Sequence, residues 1–315
     1  MHSTLTGSKR CIAATVALLI ALISSARSPA QATGPFEVIN HAAAQSNVPM
    51  HHLRGNMYAL EGSGGNITVL SGPDGKFLVD AGIALSRTRI RKDLADIGKQ
   101  SVKYVVNTHW HWDHADGNGW LRDGGAAVIA TPQTLKHLSE STRVDAWNHT
   151  FAPVPSNGRP TILITTEKTF DMDNEKIHVM PIQPSHTDGD IVVHFEKNNV
   201  IATGDVFWNG VYPFIDDQQG GGIDGTIAVD SRLIGMSDDQ TVIVPGHGPV
   251  ATRADLIAFR DMLKNTREKI VALKSKGLSV DEIIAAKPTA AYDARWGGSI
   301  INPATFVRVV YDGLK

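Results

Sequence analysis

Six consecutive residues, His109-Trp110-His111-Trp112-Asp113-His114, place three imidazoles and one carboxylate directly after the apolar run at residues 102–106. Buried imidazole and carboxylate groups need hydrogen-bond or metal partners once they leave water, so packing alone does not explain this cluster. Nitrogen and oxygen donors at such close spacing are typical of a metal site. The cluster therefore predicts a metal centre at the end of a strand.

The spacing within the cluster indicates two metal ions rather than one. His109 and His111 stand two residues apart and can point the same way from an extended chain, whereas Asp113 and His114 continue round the turn. Neither pair fills a tetrahedral shell, so each ion needs ligands from distant parts of the chain. Short segments that adjoin β-branched runs offer three more and complete a seven-ligand set: His186, Asp205 and His247.

The order and spacing of these motifs resemble those of the metallo-β-lactamase superfamily. The resemblance covers about residues 53–247 and rests on Val79-Asp80-Ala81-Gly82, the cluster at 109–114, His186, Asp205 and Pro245-Gly246-His247-Gly248. It implies a first zinc ion on His109, His111 and His186. It also implies a second zinc ion on Asp113, His114 and His247, with Asp205 bridging the two as in hydrolases similar to glyoxalase II.

Comparison with branches of that superfamily limits the choice of metal and excludes one subgroup. Flavodiiron relatives carry glutamate at the position of His111, so the histidine here favours zinc over redox-active iron. One large group of true β-lactamases carries cysteine at the position of Asp205, and this chain does not belong to that group. Asp80 has two interpretations, a residue that supports the site without binding metal or the N-cap of a helix at residues 83–97.

The resemblance implies hydrolysis by a hydroxide held between two zinc ions, since zinc lowers the pKa of bound water to about 7. Asp113 is the candidate for orienting this water and for transferring its proton. The leading interpretation is an exported zinc hydrolase that opens a cyclic amide, a β-lactamase or β-lactamase-like enzyme. A lactonase, thioesterase or other esterase of the same fold is the alternative. A secreted metal-binding protein without catalysis is a remote third interpretation.

The aromatic stretch at residues 207–217 follows Asp205 directly and is a candidate lining of the substrate cleft. Within it, Asn209 and Tyr212 are the candidate contacts to a substrate carbonyl or carboxylate. An aromatic loop packed under the site is the alternative interpretation. We expect Trp110 and Trp112, which alternate with the histidines, to pack beneath the site.

The amino-terminal residues have the layout of a secretory signal peptide. Lys9-Arg10 precede an apolar stretch at residues 11–23, and Ala30-Gln31-Ala32 follows as a cleavage signal. We expect cleavage after Ala32 and a periplasmic or secreted protein. An uncleaved anchor is the alternative, but about 12 apolar residues fall short of the ~20 that span a bilayer. The only cysteine, Cys11, lies in this leader, so disulfides and thiolate ligands are excluded from the mature chain.

Charge and length indicate the kind of partner and the number of domains. Removal of the leader removes three cations and no acids, which changes the formal net charge from −2 to −5. A mildly acidic chain does not fit nucleic-acid binding, so we expect a small-molecule substrate and no stable membrane insertion after cleavage. No linker divides residues 33–315, which we expect to form a single domain. The sequence does not predict the oligomeric state.

The alternation of elements predicts an α/β fold. Residues 57–61, 67–70 and 76–80 are typical of a three-strand meander, residues 87–97 of an amphipathic helix and residues 102–107 of a buried strand. Further strands are expected at 128–130, 162–164, 177–180, 191–195, 200–203 and 242–244, with helices at 254–274 and 280–286. The resemblance implies that these elements form a four-layer αβ/βα sandwich, the metallo-β-lactamase fold, with the zinc site at one edge.

Overall fold

Two β-sheets form the centre of the fold. The computed structural model describes residues 1–2, 34–62 and 64–314. Within them the strands are β1 (Met50–Arg54), β2 (Met57–Leu60), β3 (Ile67–Gly72), β4 (Gly75–Val79), β5 (Val102–Val106), β6 (Ala127–Ala130), β7 (Thr142–Val144), β8 (His149–Phe151), β9 (Ile162–Leu163), β10 (Lys168–Met172), β11 (Glu175–Pro181), β12 (Ile191–Phe195), β13 (Val200–Trp208) and β14 (Val242–His247). The first sheet has the order β1-β2-β3-β4-β5-β6-β9, the second has the order β10-β11-β12-β13-β14, and β7 pairs with β8.

Helices connect these strands and follow them. In the part of the chain that the structure describes, they are α1 (Pro35–Gln45), α2 (Arg87–Asp96), α3 (Trp112–Ala115), α4 (Asn118–Asp123), α5 (Pro132–Ser139), α6 (Ile223–Met236), α7 (Arg253–Lys274), α8 (Val280–Ala285), α9 (Asp293–Trp296) and α10 (Pro303–Gly313). No helix among the described residues combines the length and the apolar character needed to cross a membrane.

The predicted leader and its cleavage point after Ala32 lie outside the described residues, apart from Met1 and His2. Contacts within the chain divide it into Met1–Ala32 and Thr33–Lys315. The fold and the site described here belong to the second of these units.

The two sheets pack face to face and are covered by helices on both outer sides. Phe77 of the first sheet and Phe195 of the second belong to one shared apolar core, with ring centroids 6.1 Å apart. Ile90 and Leu94 of α2 pack against the outer face of the first sheet. Helices α6, α7 and α10 form a larger core with the outer face of the second sheet. This order of layers confirms the predicted four-layer αβ/βα sandwich.

Four strands deliver functional residues to one edge of the sandwich. β4 pairs in parallel with β5, and β13 pairs in parallel with β14. All five residues of β4 and all nine of β13 are buried, as expected of strands that are covered on both faces. Because parallel strands end at the same edge, the residues that follow β4, β5 and β14 meet there.

The observed elements differ from the predicted ones mainly by addition. The helices predicted at 87–97 and 254–274 occur as Arg87–Asp96 and Arg253–Lys274, and the second begins at a capping box of Thr252 and Asp255. Helices α1 and α6 and strands β1 and β10 were not predicted from the sequence.

A carboxylate is buried without a hydrogen-bond partner in the helical layer on the second sheet. Asp230 of α6 is fully buried, and neither of its side-chain oxygens has a partner. Burial raises the pKa of this carboxyl well above its usual range, and the guanidinium of Arg260 only partly offsets that effect. The folded protein therefore binds a proton at Asp230 more tightly than the unfolded chain does. The stability gained from that proton at low pH is lost as the pH rises through the raised pKa.

We expect Asp230→Asn to raise the free energy of unfolding by about 1–3 kcal/mol near neutral pH, because the wild-type carboxyl must take up a proton or bury its charge when the chain folds, and asparagine need not. The gain should shrink at acidic pH, where the wild-type carboxyl is protonated in both the folded and the unfolded state. Urea unfolding of both proteins at about pH 5 and about pH 8 measures this difference. Asp239→Asn, at a side chain that is 94% exposed, is the control and should leave stability nearly unchanged. An equal effect of Asp230→Asn at both pH values would contradict a titrating carboxyl.

Candidate metal centre

The predicted ligands come from four segments that meet at the edge where β4, β5 and β14 end. His109, His111, Asp113 and His114 follow β5 in a buried loop that continues into α3. His186 lies between β11 and β12, Asp205 lies within β13, and His247 ends β14. Around Asp205 the β13–β14 register shifts, and Gly204 has a φ of +55°. This local irregularity turns Asp205 toward the other ligands, because a bulge re-aims the side chain next to it.

The residues predicted for the first zinc ion lie together. His109, His111, His186 and Asp205 each offer a donor atom, and these atoms all lie within 4.8 Å of one another. His111 Nδ1 is 2.9 Å from His186 Nε2, and His186 Nε2 is 3.4 Å from Asp205 Oδ2. His109 Nε2 is 3.8 Å from the same carboxylate oxygen. Three imidazole nitrogens and one carboxylate oxygen form a donor set that suits tetrahedral zinc.

The residues predicted for the second zinc ion form an adjoining group. His247 Nε2 lies 3.4 Å from both Asp113 Oδ2 and His114 Nε2. Asp205 contacts this group as well, with Oδ1 2.9 Å from His114 Nε2 and Oδ2 3.3 Å from His247 Nε2. Its carboxylate therefore lies between the two groups, which is the placement that a bridging ligand requires. The structure brings together all seven residues of the predicted set.

Asp80 supports two of the ligand histidines. Its carboxylate accepts hydrogen bonds from the backbone N–H and the hydroxyl of Thr108, each at 2.8 Å, and its Oδ2 lies 2.8 Å from His114 Nδ1. Since the Thr108 hydroxyl donates to Asp80, it accepts from His109 Nδ1 at 3.0 Å. Both histidines thereby direct Nε2 toward the metal centre. Of the two interpretations of Asp80, the structure supports this role and not the N-cap, because α2 begins at Arg87.

Two more groups fix the remaining first-site histidines. His186 Nδ1 lies 2.9 Å from the carbonyl oxygen of Phe214, and His111 Nε2 lies 2.9 Å from Asp216 Oδ2. Sequence reasoning placed Asp216 in a candidate substrate loop and missed this role, because 105 residues separate it from His111. It also missed Asp190, whose carboxylate accepts from the backbone N–H groups of His186 and Thr187. The sequence did contain a signal for Asp190. It stands four residues after His186, and aspartate at such a spacing is typical of a tight turn that its side chain closes by hydrogen bonds to the backbone.

The electrostatics differ between the two groups. Burial lowers the pKa of His111 to about 3 and that of His186 to about 4, and it lowers the pKa of His109 well below its usual range. These imidazoles are therefore neutral, which is the form that binds metal. At His114 burial also acts to lower the pKa, but the carboxylates of Asp205, Asp80 and Asp113 raise it well above its usual range. The second group is thus a place where a positive charge is stabilised.

Unpartnered buried atoms test whether a metal suits this site. His109 Nε2 and Asp113 Oδ1 are buried and have no hydrogen-bond partner in the protein. Leaving such an atom unsatisfied costs about 1–3 kcal/mol, so two of them in one cluster indicate a ligand that they share. The donors are imidazole nitrogens and carboxylate oxygens without thiolate, which zinc accepts. The residues present therefore fit the two predicted zinc ions.

Glycines allow the ligands to approach the backbone closely. A Cβ atom on Gly65 would lie 2.2 Å from His114 Cε1, and one on Gly246 would lie 2.0 Å from Asp205 Oδ1. The backbone N–H of Gly65 also donates to the carbonyl of Asp113 at 3.1 Å. Side chains at these two positions would displace a ligand from each half of the bridged site.

The metal centre is most open on the side of its second group. The side chain of His247 is 17% exposed, whereas those of the other six ligands are at most 5% exposed. The ring of Trp208 lies 4.1 Å from the ring of His247, and its buried Nε1–H has no partner. The sequence predicted no separate role for Trp208, which was considered only as part of the aromatic stretch at residues 207–217. Trp110 and Trp112 are buried and pack against Phe151.

The two candidate substrate contacts are used elsewhere. Tyr212 is fully buried, its hydroxyl donates to Asp293 at 2.8 Å, and its ring stacks on Phe306 of α10. Burial and Asp293 raise the pKa of Tyr212. A substrate contact at Tyr212 is therefore not supported by this structure. The Asn209 side chain donates to the carbonyl of Pro249 at 3.0 Å, which ties it to the loop after His247 rather than to a ligand.

The sequence matches the family model described as the metallo-beta-lactamase superfamily over residues 60–247, a range that contains all seven predicted ligands. It is 22% identical over 256 residues to the linear primary-alkylsulfatase of Pseudomonas sp. (strain ATCC 19151), covering 69% of this chain and 48% of that protein. It is 26% identical over 105 residues to the hydroxyacylglutathione hydrolase of Erythrobacter litoralis (strain HTCC2594), covering 33% of this chain and 34% of that protein. The chain thus spans less than half the length of these curated relatives.

Solved structures share the fold at low sequence identity. A stereoselective inverting sec-alkylsulfatase from Pseudomonas sp. superposes with a TM-score of 0.64 at 18% identity, covering 88% of this chain and 52% of that chain. A metallo-beta-lactamase from Pontibacter korlensis superposes with a TM-score of 0.58 at 18% identity, covering 70% of this chain and 100% of that chain. Both likenesses concern the arrangement of sheets and helices.

Proposed function

This chain belongs to the metallo-β-lactamase superfamily of metal-dependent hydrolases, and from that premise we propose that it opens a cyclic amide, a β-lactam, at a dizinc centre. The observation that carries the proposal is the pair of adjoining donor groups that share Asp205. His109, His111 and His186 would hold the first ion, and Asp113, His114 and His247 the second. We also propose, from the amino-terminal pattern alone, that the protein is exported.

Zinc ions at these positions would supply Lewis acidity and would acidify a bound water, which removes the need for a serine or cysteine nucleophile. Asp113 is suited to handle the proton of that water. Its Oδ2 faces His247 and His114, while its Oδ1 is buried and unpartnered. One oxygen is thus available to a metal and the other to a water hydrogen.

A sulfate ester is the second candidate substrate, because the alkylsulfatases are similar in sequence and fold. Residues 107–118, 182–190, 203–222 and 245–250, which carry the seven ligands, contain no lysine or arginine. The zinc ions would therefore balance the charge of a sulfate group, and they would do the same for the carboxylate of a penicillin. Charge does not rank the two candidates, so turnover decides between the sulfate ester and a carbonyl substrate, either the lactam or the alternative lactone, thioester or other ester.

The test is turnover by the purified zinc-loaded protein of a penicillin, a cephalosporin, a carbapenem, a lactone, a thioester and a primary alkyl sulfate. We expect a β-lactam to be opened, with loss of activity on chelation and recovery when zinc is restored. Zinc content is measured on the same samples. His186→Gln should abolish turnover, and His194→Gln, at a histidine of β12 outside the site, should not.

The outcomes separate the site from the substrate. Two zinc ions per chain with turnover of only the lactone or thioester would keep the site and overturn the lactam assignment. Turnover of only the alkyl sulfate would establish the second candidate. Turnover of none, at full zinc content, would contradict the proposed hydrolase activity on this whole range of bonds.

A further inference from the structure

A cavity lies at the end of the first sheet opposite the metal centre. It has a volume of about 550 Å³ and is lined by the starts of β4 and β5 and by parts of α2 and α4. Lys76 lines it at the start of β4, whereas Asp80, which supports the metal ligands, follows the end of the same strand. Four residues of strand separate these positions by about 13 Å, so the cavity is distinct from the metal centre.

The charge around this cavity is strongly unbalanced. The one acidic residue in its lining is Asp123. Four cationic side chains also line it: Lys76, Arg87, Arg91 and Lys99. In the described part of the chain, every ion pair of a lysine or arginine is formed by a residue other than these four. None of the four therefore has a carboxylate within ion-pair distance. Arg87 and Arg91 stand one turn apart on α2 and present their charges on the same face. A concave surface with this imbalance attracts anions.

Lys76 adds a buried charge to this imbalance. It is 2% exposed, and its ammonium donates to the carbonyl oxygens of Gly98 and Gln100. An ammonium group has three hydrogens, so one remains for a group in the cavity. Burial lowers the pKa of Lys76. An anion in the cavity would supply the missing countercharge.

Trp120 gives the cavity a planar wall. Its indole Nε1–H is buried without a hydrogen-bond partner, and the guanidinium carbon of Arg87 lies 5.8 Å from its ring centroid. A buried N–H without a partner indicates a missing acceptor. The cavity is also larger than an inorganic phosphate ion requires, and Leu94 and Leu121 contribute apolar surface to it. The ligand that fits combines an anionic head with a planar or apolar body.

We propose that this cavity binds a phosphate monoester with an aromatic or apolar substituent. The phosphate group would contact Arg87, Arg91 and Lys99, with Lys76 behind them, and the substituent would lie against Trp120. Charge-assisted bonds from arginine to phosphate are among the strongest that side chains make. The inference does not depend on the substrate of the metal centre.

Isothermal titration of the zinc-loaded protein with phenyl phosphate, inorganic phosphate and phenol tests the proposal. We expect phenyl phosphate to bind at least about 10-fold more tightly than inorganic phosphate, and phenol not to bind measurably. The double variant Arg87→Gln/Arg91→Gln should weaken phenyl phosphate at least about 10-fold, through the loss of two charge-assisted contacts. The matched control is Lys92→Gln, since this exposed lysine of α2 pairs with Asp96 at 2.6 Å and does not line the cavity.

The design distinguishes this cavity from the metal centre, which could also bind phosphate. Binding of phenyl phosphate that is the same in the double variant and in the wild type would overturn the proposal, as would no binding at all. Weakening by the double variant but not by Lys92→Gln would support it. Co-sedimentation with phosphatidylcholine vesicles with and without phosphatidic acid then separates the two sources of such a head group. Sedimentation that depends on phosphatidic acid and on the two arginines identifies a lipid, and its absence identifies a soluble ligand.

Discussion

Replacement of Asp113 by asparagine is expected to lower kcat by about 100-fold to 10,000-fold, even when zinc is in excess. The amide oxygen of asparagine can still face His247 and His114, where Oδ2 lies now. The amide nitrogen in the place of Oδ1 donates hydrogen bonds and cannot accept a proton. The loss should therefore persist in protein that contains two zinc ions per chain, which metal analysis of the assayed sample verifies.

A second variant separates proton transfer from metal binding. His247→Ala removes a donor of the second group and leaves Asp113 in place, so its defect should track zinc occupancy and recover in part at high zinc. Asp113→Asn should not recover. If Asp113→Asn with full zinc retained the wild-type rate, the assignment of Asp113 to proton transfer would be wrong. Equal recovery of both variants would reduce Asp113 to a metal ligand.

The ligand set could be predicted because its chemistry is local in the sequence. Four of the seven ligands fall within residues 109–114, directly after a strand whose apolar run is plain. Histidines and acids at strand ends supplied the other three. The structure then shows what spacing could not, namely which nitrogen of each ring faces the site. That choice depends on partners such as Asp216, which no local pattern connects to His111.

The interpretation of Tyr212 failed for the converse reason. It stands seven residues after Asp205, yet proximity along the chain did not become proximity in space. The chain turns away from the site at Tyr212 before it returns at Phe214 and Asp216. The ring of Tyr212 stacks 4.5 Å from that of Phe306, almost a hundred residues later. The carboxy-terminal helices that Tyr212 packs against were only partly predicted, so the sequence did not indicate this contact. Burial of an aromatic ring against a distant helix is a tertiary effect.

Helix α6 illustrates a limit in the prediction of the fold. Its sequence, IDGTIAVDSRLIGM, contains two glycines and several β-branched residues, which are poor helix formers. Three glycines precede it, and glycine is typical of turns and loops. The helix forms because Val229 and Leu233 are buried in the core that α6 shares with α7 and the second sheet. Packing of this kind overrides propensity, and only the tertiary structure reveals it.

Gly246→Ala is expected to reduce zinc affinity and kcat/KM on the order of 100-fold, although the change adds a single methyl group. Its Cβ would lie 2.0 Å from Asp205 Oδ1 and 2.6 Å from the carbonyl carbon of Gly204. Neither neighbour can yield easily, because β13 and β14 are paired in parallel along this stretch and Asp205 contacts both donor groups. Displacement of Asp205 should therefore weaken both zinc sites together. Zinc titration and steady-state kinetics of the variant measure the two effects.

Gly235→Ala is the matched control, since it makes the same substitution where there is room. Gly235 lies in the last turn of α6, and a Cβ there would meet nothing within 4 Å. Alanine is more favourable than glycine in a helix, and less so in the last turn than the ~1 kcal/mol of a helix interior, so this variant should keep the wild-type stability or gain slightly, with unchanged zinc content and rate. Normal zinc binding in Gly246→Ala would show that β13 and β14 can separate locally. It would also remove the argument that close backbone packing, and not only the donor atoms, positions Asp205 between the two groups.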